Sequence, residues 1–158
     1  MNNFFKYLNV LPMPLWLAMM FAPKHPLTRR LGRSSAIFGW SAFHYVVAVI
    51  VAIKRGSQER EAAGLAKNPD VTSLSGIQTL LGTPSGTLAA WAHMLALDLF
   101  TGGWIYRQSQ RLHAPAWVRI GSLFFALMSG PLGLLLFLLW RVFGAGAKEA
   151  LNDSQEQL

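Results

Sequence analysis

Three side chains in this sequence combine proton-transfer chemistry with an apolar setting: Asp98, His93 and His44. Asp98 interrupts "WAHMLALDLFTGGWIYRQSQR", Trp91 to Arg111, and His44 is the strongly polar residue of "AIFGWSAFHYVVAVIVAI", Ala36 to Ile53. A carboxyl and an imidazole can act as acid and base near neutral pH. Inside a bilayer such groups are costly, roughly 2.5 to 3.5 kcal/mol for an ionised carboxylate at the midplane on insertion scales. Asp98 must therefore face protein or water, pair with a cation, or keep its proton.

Asp98 is the eleventh of the 19 residues from Leu88 to Tyr106, and His44 the ninth of the 18 in its run. Both thus fall near mid-depth of a span and could meet in a packed bundle. Helical offsets put Trp91, Met94, Leu95, Thr101, Gly102 and Ile105 on the Asp98 face. His93 lies about 140° around the helix and roughly 7.5 Å along it, so these two alone do not make a hydrogen-bonded dyad, although both can border one cavity.

Asp98 has two competing roles. It is either an interhelical hydrogen-bond partner worth ~1 kcal/mol, with Arg107 or Arg141 as its cation, or part of a functional pocket, the default for a midplane ionisable group. The same alternatives apply to His93 and His44. Gly102 and Gly103 mark a close-packing site or a close approach of ligand. Ser122, Ala126, Ser129, Gly130 and Gly133 repeat at three- and four-residue steps, a small face against which another helix packs. Pro131 cannot donate a backbone hydrogen bond, which predicts a bend that either opens a cavity or adjusts packing.

The elements that position these residues are set by hydropathy. With 53% hydrophobic and 13% charged residues, and a mean hydropathy of +0.33, the chain is too apolar for an ordinary soluble domain of 158 residues. The pattern predicts an all-α integral membrane bundle of four transmembrane helices, in one domain over 1–146, with spans at about 7–23, 36–53, 88–106 and 120–140. A polar connection, 54–86, holds Leu74, Ile77, Leu80 and Leu81 at near-helical spacing, suggesting an interfacial helix over 73–82 or a re-entrant turn. A polar tail, 147–158, follows. Pro12 and Pro14 should kink or break the first helix, which reads as a retained segment rather than a signal peptide. Trp91, Trp104, Tyr106, Trp117 and Trp140 fall near span ends, as an aromatic belt requires.

The 14 basic residues outnumber 7 acidic ones, but they sit at the ends of apolar runs, which fits anionic headgroups and not nucleic acid. Cysteine is absent, so disulfides, thiol nucleophiles and thiolate metal sites are excluded. Four crossings would share the positive charges evenly, seven to a side. The set in the short loops, from Lys24 to Arg33 and Arg107 to Arg119, then favours both termini outside.

"WAHMLALDLFTGGWIYRQSQR" followed by "GSLFFALMSGPLGLLLFLLWR" resembles the small integral membrane family related to plant neoxanthin synthase, the abscisic-acid-deficiency-four-like proteins. "PLWLAMMFAP" in the first span is also similar, and the likeness runs from Pro12 to Arg141 without the middle connection. It implies a four-helix membrane fold, with Trp91, His93, Asp98, Gly102, Trp104, Gly130, Pro131 and Gly133 at motif positions. It also implies carotenoid chemistry, an epoxide-to-allene isomerisation in the plant members. That reaction needs an acid to open the epoxide and a base to remove a proton, but no metal or organic cofactor.

The resulting expectation is a multi-pass protein of the cell membrane, taken as a bacterial inner membrane, that acts on or binds a carotenoid or related isoprenoid. Asp98, His93 and His44 are its candidate catalytic residues. Trp91, Thr101, Gly102, Trp104, Gly130 and Pro131 are its candidate substrate-binding residues, and no metal is expected. The alternative is a non-enzymatic accessory or assembly subunit of a membrane complex, a homo-oligomer or the partner of another membrane protein.

Overall fold

Prolines, glycines and capping groups divide the apolar runs into helices. In the computed structural model, which describes residues 1–144, every regular element is an α-helix. The expected tail, 147–158, lies outside the described residues.

The first run forms α1 (Asn2–Val10) and α2 (Met13–Phe21), broken where Pro12 and Pro14 remove backbone donors and suit the first turn of a new helix. Together they cover Asn2–Phe21, long and apolar enough to cross a membrane. A short α3 (Pro26–Gly32) follows, its N-terminus capped by His25, whose Nδ1 accepts from the Leu27 amide at 3.3 Å.

The other two candidate spans are α4 (Ser35–Ala62) and α6 (Pro84–Arg111), 28 residues each. At about 42 Å they exceed the ~30 Å hydrocarbon core, so their polar ends reach into the interface and beyond. Those ends are tied by polar contacts. Glu59 of α4 accepts from the Ser85 amide at 2.9 Å and its hydroxyl at 2.7 Å, capping the start of α6. Arg60 reaches the Lys67 carbonyl at 3.1 and 2.9 Å across a turn in which Gly64 takes φ +69°. Helix α5 (Leu74–Leu81) is capped by the Ser73 hydroxyl, which accepts from the Gly76 amide at 3.1 Å. Just before it, the Thr72 hydroxyl and amide hold the Asp70 carboxyl below its usual range.

Segment 120–140, expected as a fourth span, is not one helix. It is divided between α7 (Ala116–Met128) and α8 (Gly130–Phe143), of 13 and 14 residues, with Ser129 extended between them. Helices of those lengths measure about 20 and 21 Å, short of the bilayer core. The second folds back on the first. A Cβ on Gly133 would stand 2.2 Å from the Ala126 nitrogen and 2.3 Å from the Ser122 oxygen. In a continuous helix those two positions, 126 and 133, would be roughly 10.5 Å apart. Pro131 thus does not bend an ongoing helix; it sits in the first turn of a new one, where its missing N–H costs nothing. Among the described residues, three elements and not four meet the length and apolarity of a crossing.

The chain packs as two compact units, Met1–Val10 with Gly39–Ala96, and Leu11–Phe38 with the residues from Leu97. The first is centred on Leu8, Ala48, Leu88 and Ala92. The second has a larger core built from Trp16, Met19, Ile105, Tyr106, Leu123 and Phe137. Leu17, Ile53, Leu97, Phe124 and Leu139 stay exposed on helices apolar over most of their surface, as in a protein solvated by lipid.

Candidate functional site

Asp98 lies within α6, in the second unit, and is half-buried. Its carboxylate rests against Gly130, the first residue of α8, whose backbone N–H is its polar neighbour. A Cβ at position 130 would stand 2.0 Å from Asp98 Oδ1, so glycine is what leaves room for the carboxylate. The first amides of a helix lack intrahelical acceptors and carry its positive dipole end, which favours an anion there. Ser129 provides no side-chain cap. Asp98 takes that place from another helix.

The cations expected as partners do not pair with it. Arg107 donates to the Gly32 carbonyl at 3.1 Å, and its guanidinium lies 5.3 Å from the Phe38 ring centre. Neither Arg107 nor Arg141 forms an ion pair with Asp98 among the described residues.

Around Asp98 the expected binding residues divide. Gly102 is buried, and a Cβ there would fall 2.2 Å from the indole of Trp16, itself 2% exposed. The glycine admits α2 to close contact with α6, so protein and not ligand fills that approach. Trp104, half-buried, sets its ring edge-on to Phe137 with centroids 5.7 Å apart. Thr101 is half-buried, Gly130 buried and Pro131 exposed.

His44, His93 and Trp91 belong to the first unit. His44 is buried and its Nδ1 lies 2.8 Å from the Trp40 carbonyl, which fixes Nδ1 as the donor and leaves Nε2 as the acceptor of the neutral ring. The rings of Trp40, Tyr7, Phe43 and Phe4 surround it at 4.8, 5.4, 5.9 and 6.2 Å. His93 is exposed, with its ring 5.0 Å from that of Tyr45. Trp91 donates to Asn9 Oδ1 at 3.1 Å and packs on Phe5, so its indole ties α6 to α1.

Chemically, the second unit offers a carboxyl held at a helix start, beside small residues and large rings. Among the described residues, no three His, Asp or Glu side chains cluster as metal ligands. Sequence reasoning missed Trp16, although "PLWLAMMFAP" had been singled out, because the indole meets Gly102 from a position 86 residues away. It also missed Tyr106, whose hydroxyl donates to the Pro23 carbonyl at 2.7 Å. The aromatic-belt pattern assigned that ring to the bilayer interface, but it is 1% exposed.

A family model described as ABA DEFICIENT 4-like matches residues 3–137, in agreement with the family expected from the motifs around Asp98 and Gly130. No curated protein and no solved structure matches the chain.

Proposed function

Because the chain belongs to the ABA DEFICIENT 4-like family, we propose that it is a multi-pass protein of the cell membrane that binds or acts on a carotenoid or related isoprenoid. The observation that supports this most is the Asp98 carboxylate docked at the start of α8. A half-buried acid held by a backbone amide is oriented by the fold yet keeps one side open to a ligand. In a cofactor-free isomerisation of the epoxide-to-allene kind, the opening oxygen gains a proton and carbon loses one, with nothing oxidised or reduced; Asp98, held as a carboxylate at the helix start, would be the base that takes the proton from carbon. Thr101, on the Asp98 face, and Trp104 remain part-exposed for an apolar ligand.

The test is extraction of pigment and lipid from the purified full-length protein made in carotenoid-producing cells, wild type against Asp98→Asn. Wild type should carry a polyene or isoprenoid, and the folded variant should lose it or carry unconverted substrate. Identical extracts from two equally folded proteins would overturn the proposal. A stoichiometric protein partner, with Asp98→Asn lowering only protein level, would instead favour an accessory subunit.

A further inference from the structure

We propose that Arg29, Arg33 and Arg119, gathered about the Tyr106 side chain in the second unit, hold a phosphate group. Tyr106 is fully buried, and Gly32 of α3 approaches it so closely that an added Cβ would stand 2.7 Å from the ring. That contact brings Arg29 of α3 and Arg33 just after it within electrostatic reach of the Tyr106 side chain, together with Arg119 of α7.

Among the described residues of the second unit, no carboxylate answers them. Residues 11–38 hold no Asp or Glu, and residues 97–144 hold only Asp98, eight positions from Tyr106 along α6. That is about 12 Å of helix, and Asp98 is already engaged at Gly130. Arg119 is also incompletely satisfied. Its Nε is buried with no hydrogen-bond partner, and one terminal nitrogen reaches the Met20 carbonyl at a long 3.4 Å. A guanidinium offers five donors, and leaving one buried and unpaired is costly.

Planar arginine forks match the oxygens of phosphate two at a time, which makes phosphate the anion of choice for this cluster. Exposed Phe21, Leu27 and Trp117 on the neighbouring helices add apolar surface, so the phosphate fits an amphipathic molecule. It is either a lipid headgroup or a soluble phosphoester. The sequence pattern alone points to basic span ends near headgroups in general; their shared electrostatic reach of Tyr106, beside the close approach of Gly32, narrows this to three arginines.

The experiment uses the purified full-length protein in neutral detergent, with phosphatidylglycerol or inorganic phosphate as separate probes, read by native mass spectrometry and thermal unfolding. Phosphatidylglycerol should be retained and raise Tm in wild type, while Arg29→Gln/Arg33→Gln, both exposed positions, should weaken retention roughly 30-fold. Arg55→Gln, exposed in the first unit, should leave it unchanged. A Tm rise with inorganic phosphate alone, lost in the same double variant, would support the site with a soluble phosphoester as occupant. Binding of neither probe, or equal binding in the double variant, would overturn it. So would phosphatidylglycerol binding that arises only after Glu149→Gln/Asp153→Asn/Glu156→Gln, for then tail carboxylates are the anion.

Discussion

At Asp98 and Gly130 a carboxylate and a backbone amide share a space that a methyl group cannot enter. Gly130→Ala would set a Cβ 2.0 Å from Asp98 Oδ1, so the carboxylate must turn away and lose the helix start. The expected cost is about 1 to 3 kcal/mol, combining the overlap with a lost charge–dipole contact. In an Asp98→Ala background the same change should cost close to nothing, because the colliding oxygen is gone. Thermal unfolding of the four proteins in this double-mutant cycle measures the coupling, and equal costs in both backgrounds would show that the two residues do not restrain each other. The acid was legible in the sequence because a lone carboxyl in an apolar run stands out. Its partner was not, since a backbone amide 32 residues away carries no side-chain signature. Charge matching pointed to Arg107, whose guanidinium answers the Gly32 carbonyl and the Phe38 ring instead.

The α7–α8 hairpin concentrates its tightest packing at Gly133, where backbone meets backbone. A Cβ there would stand 2.2 Å from the Ala126 nitrogen and 2.3 Å from the Ser122 oxygen, atoms that no rotamer change can move aside. Gly133→Ala should therefore destabilise by roughly 2 kcal/mol or more and separate the helices. Gly121, on α7, has nothing within 4 Å of an added Cβ. Gly121→Ala should be neutral or stabilising by up to about 1 kcal/mol, as the helix loses a flexible residue. Comparing the two by thermal unfolding separates close packing from a general effect of alanine, and equal shifts would refute the hairpin contact. The small face of Ser122, Ala126 and Gly133 was readable as a packing surface; that its partner is the following helix was not. From Ile120 to Trp140 no charge occurs, and such a run satisfies a span and a folded-back pair alike. What the sequence did contain was "SGPLG", a serine ahead of a proline two residues on, the pattern of a helix start and not of a bend.

For the whole molecule the number of crossings decides which side each terminus occupies. The apolar lengths of α1 with α2, α4 and α6 were visible in the residue runs, and those three remain candidate spans. With each candidate span crossing once and a hairpin of helices about 20 Å long entering and returning on one side, three crossings are expected, with the termini on opposite sides. The positive charges then redistribute. Lys24, Arg29, Arg30, Arg33, Arg107, Arg111 and Arg119 are joined by Arg141 and Lys148, giving nine against Lys6, Lys54, Arg55, Arg60 and Lys67. Four crossings leave seven on each side, so that only the short-loop placement favours an orientation, with both termini outside; three crossings give nine to five, with the larger group cytoplasmic by the positive-inside rule. The N-terminus should accordingly face outward and the C-terminus the cytoplasm. A fluorescent or phosphatase reporter on each end checks this: activity that requires export should appear only with the N-terminal fusion, and cytoplasmic fluorescence only with the C-terminal one. Both reporters on the same side would mean that α7 and α8 cross together as a fourth span, and that Asp98 meets the start of α8 inside a continuous passage through the membrane.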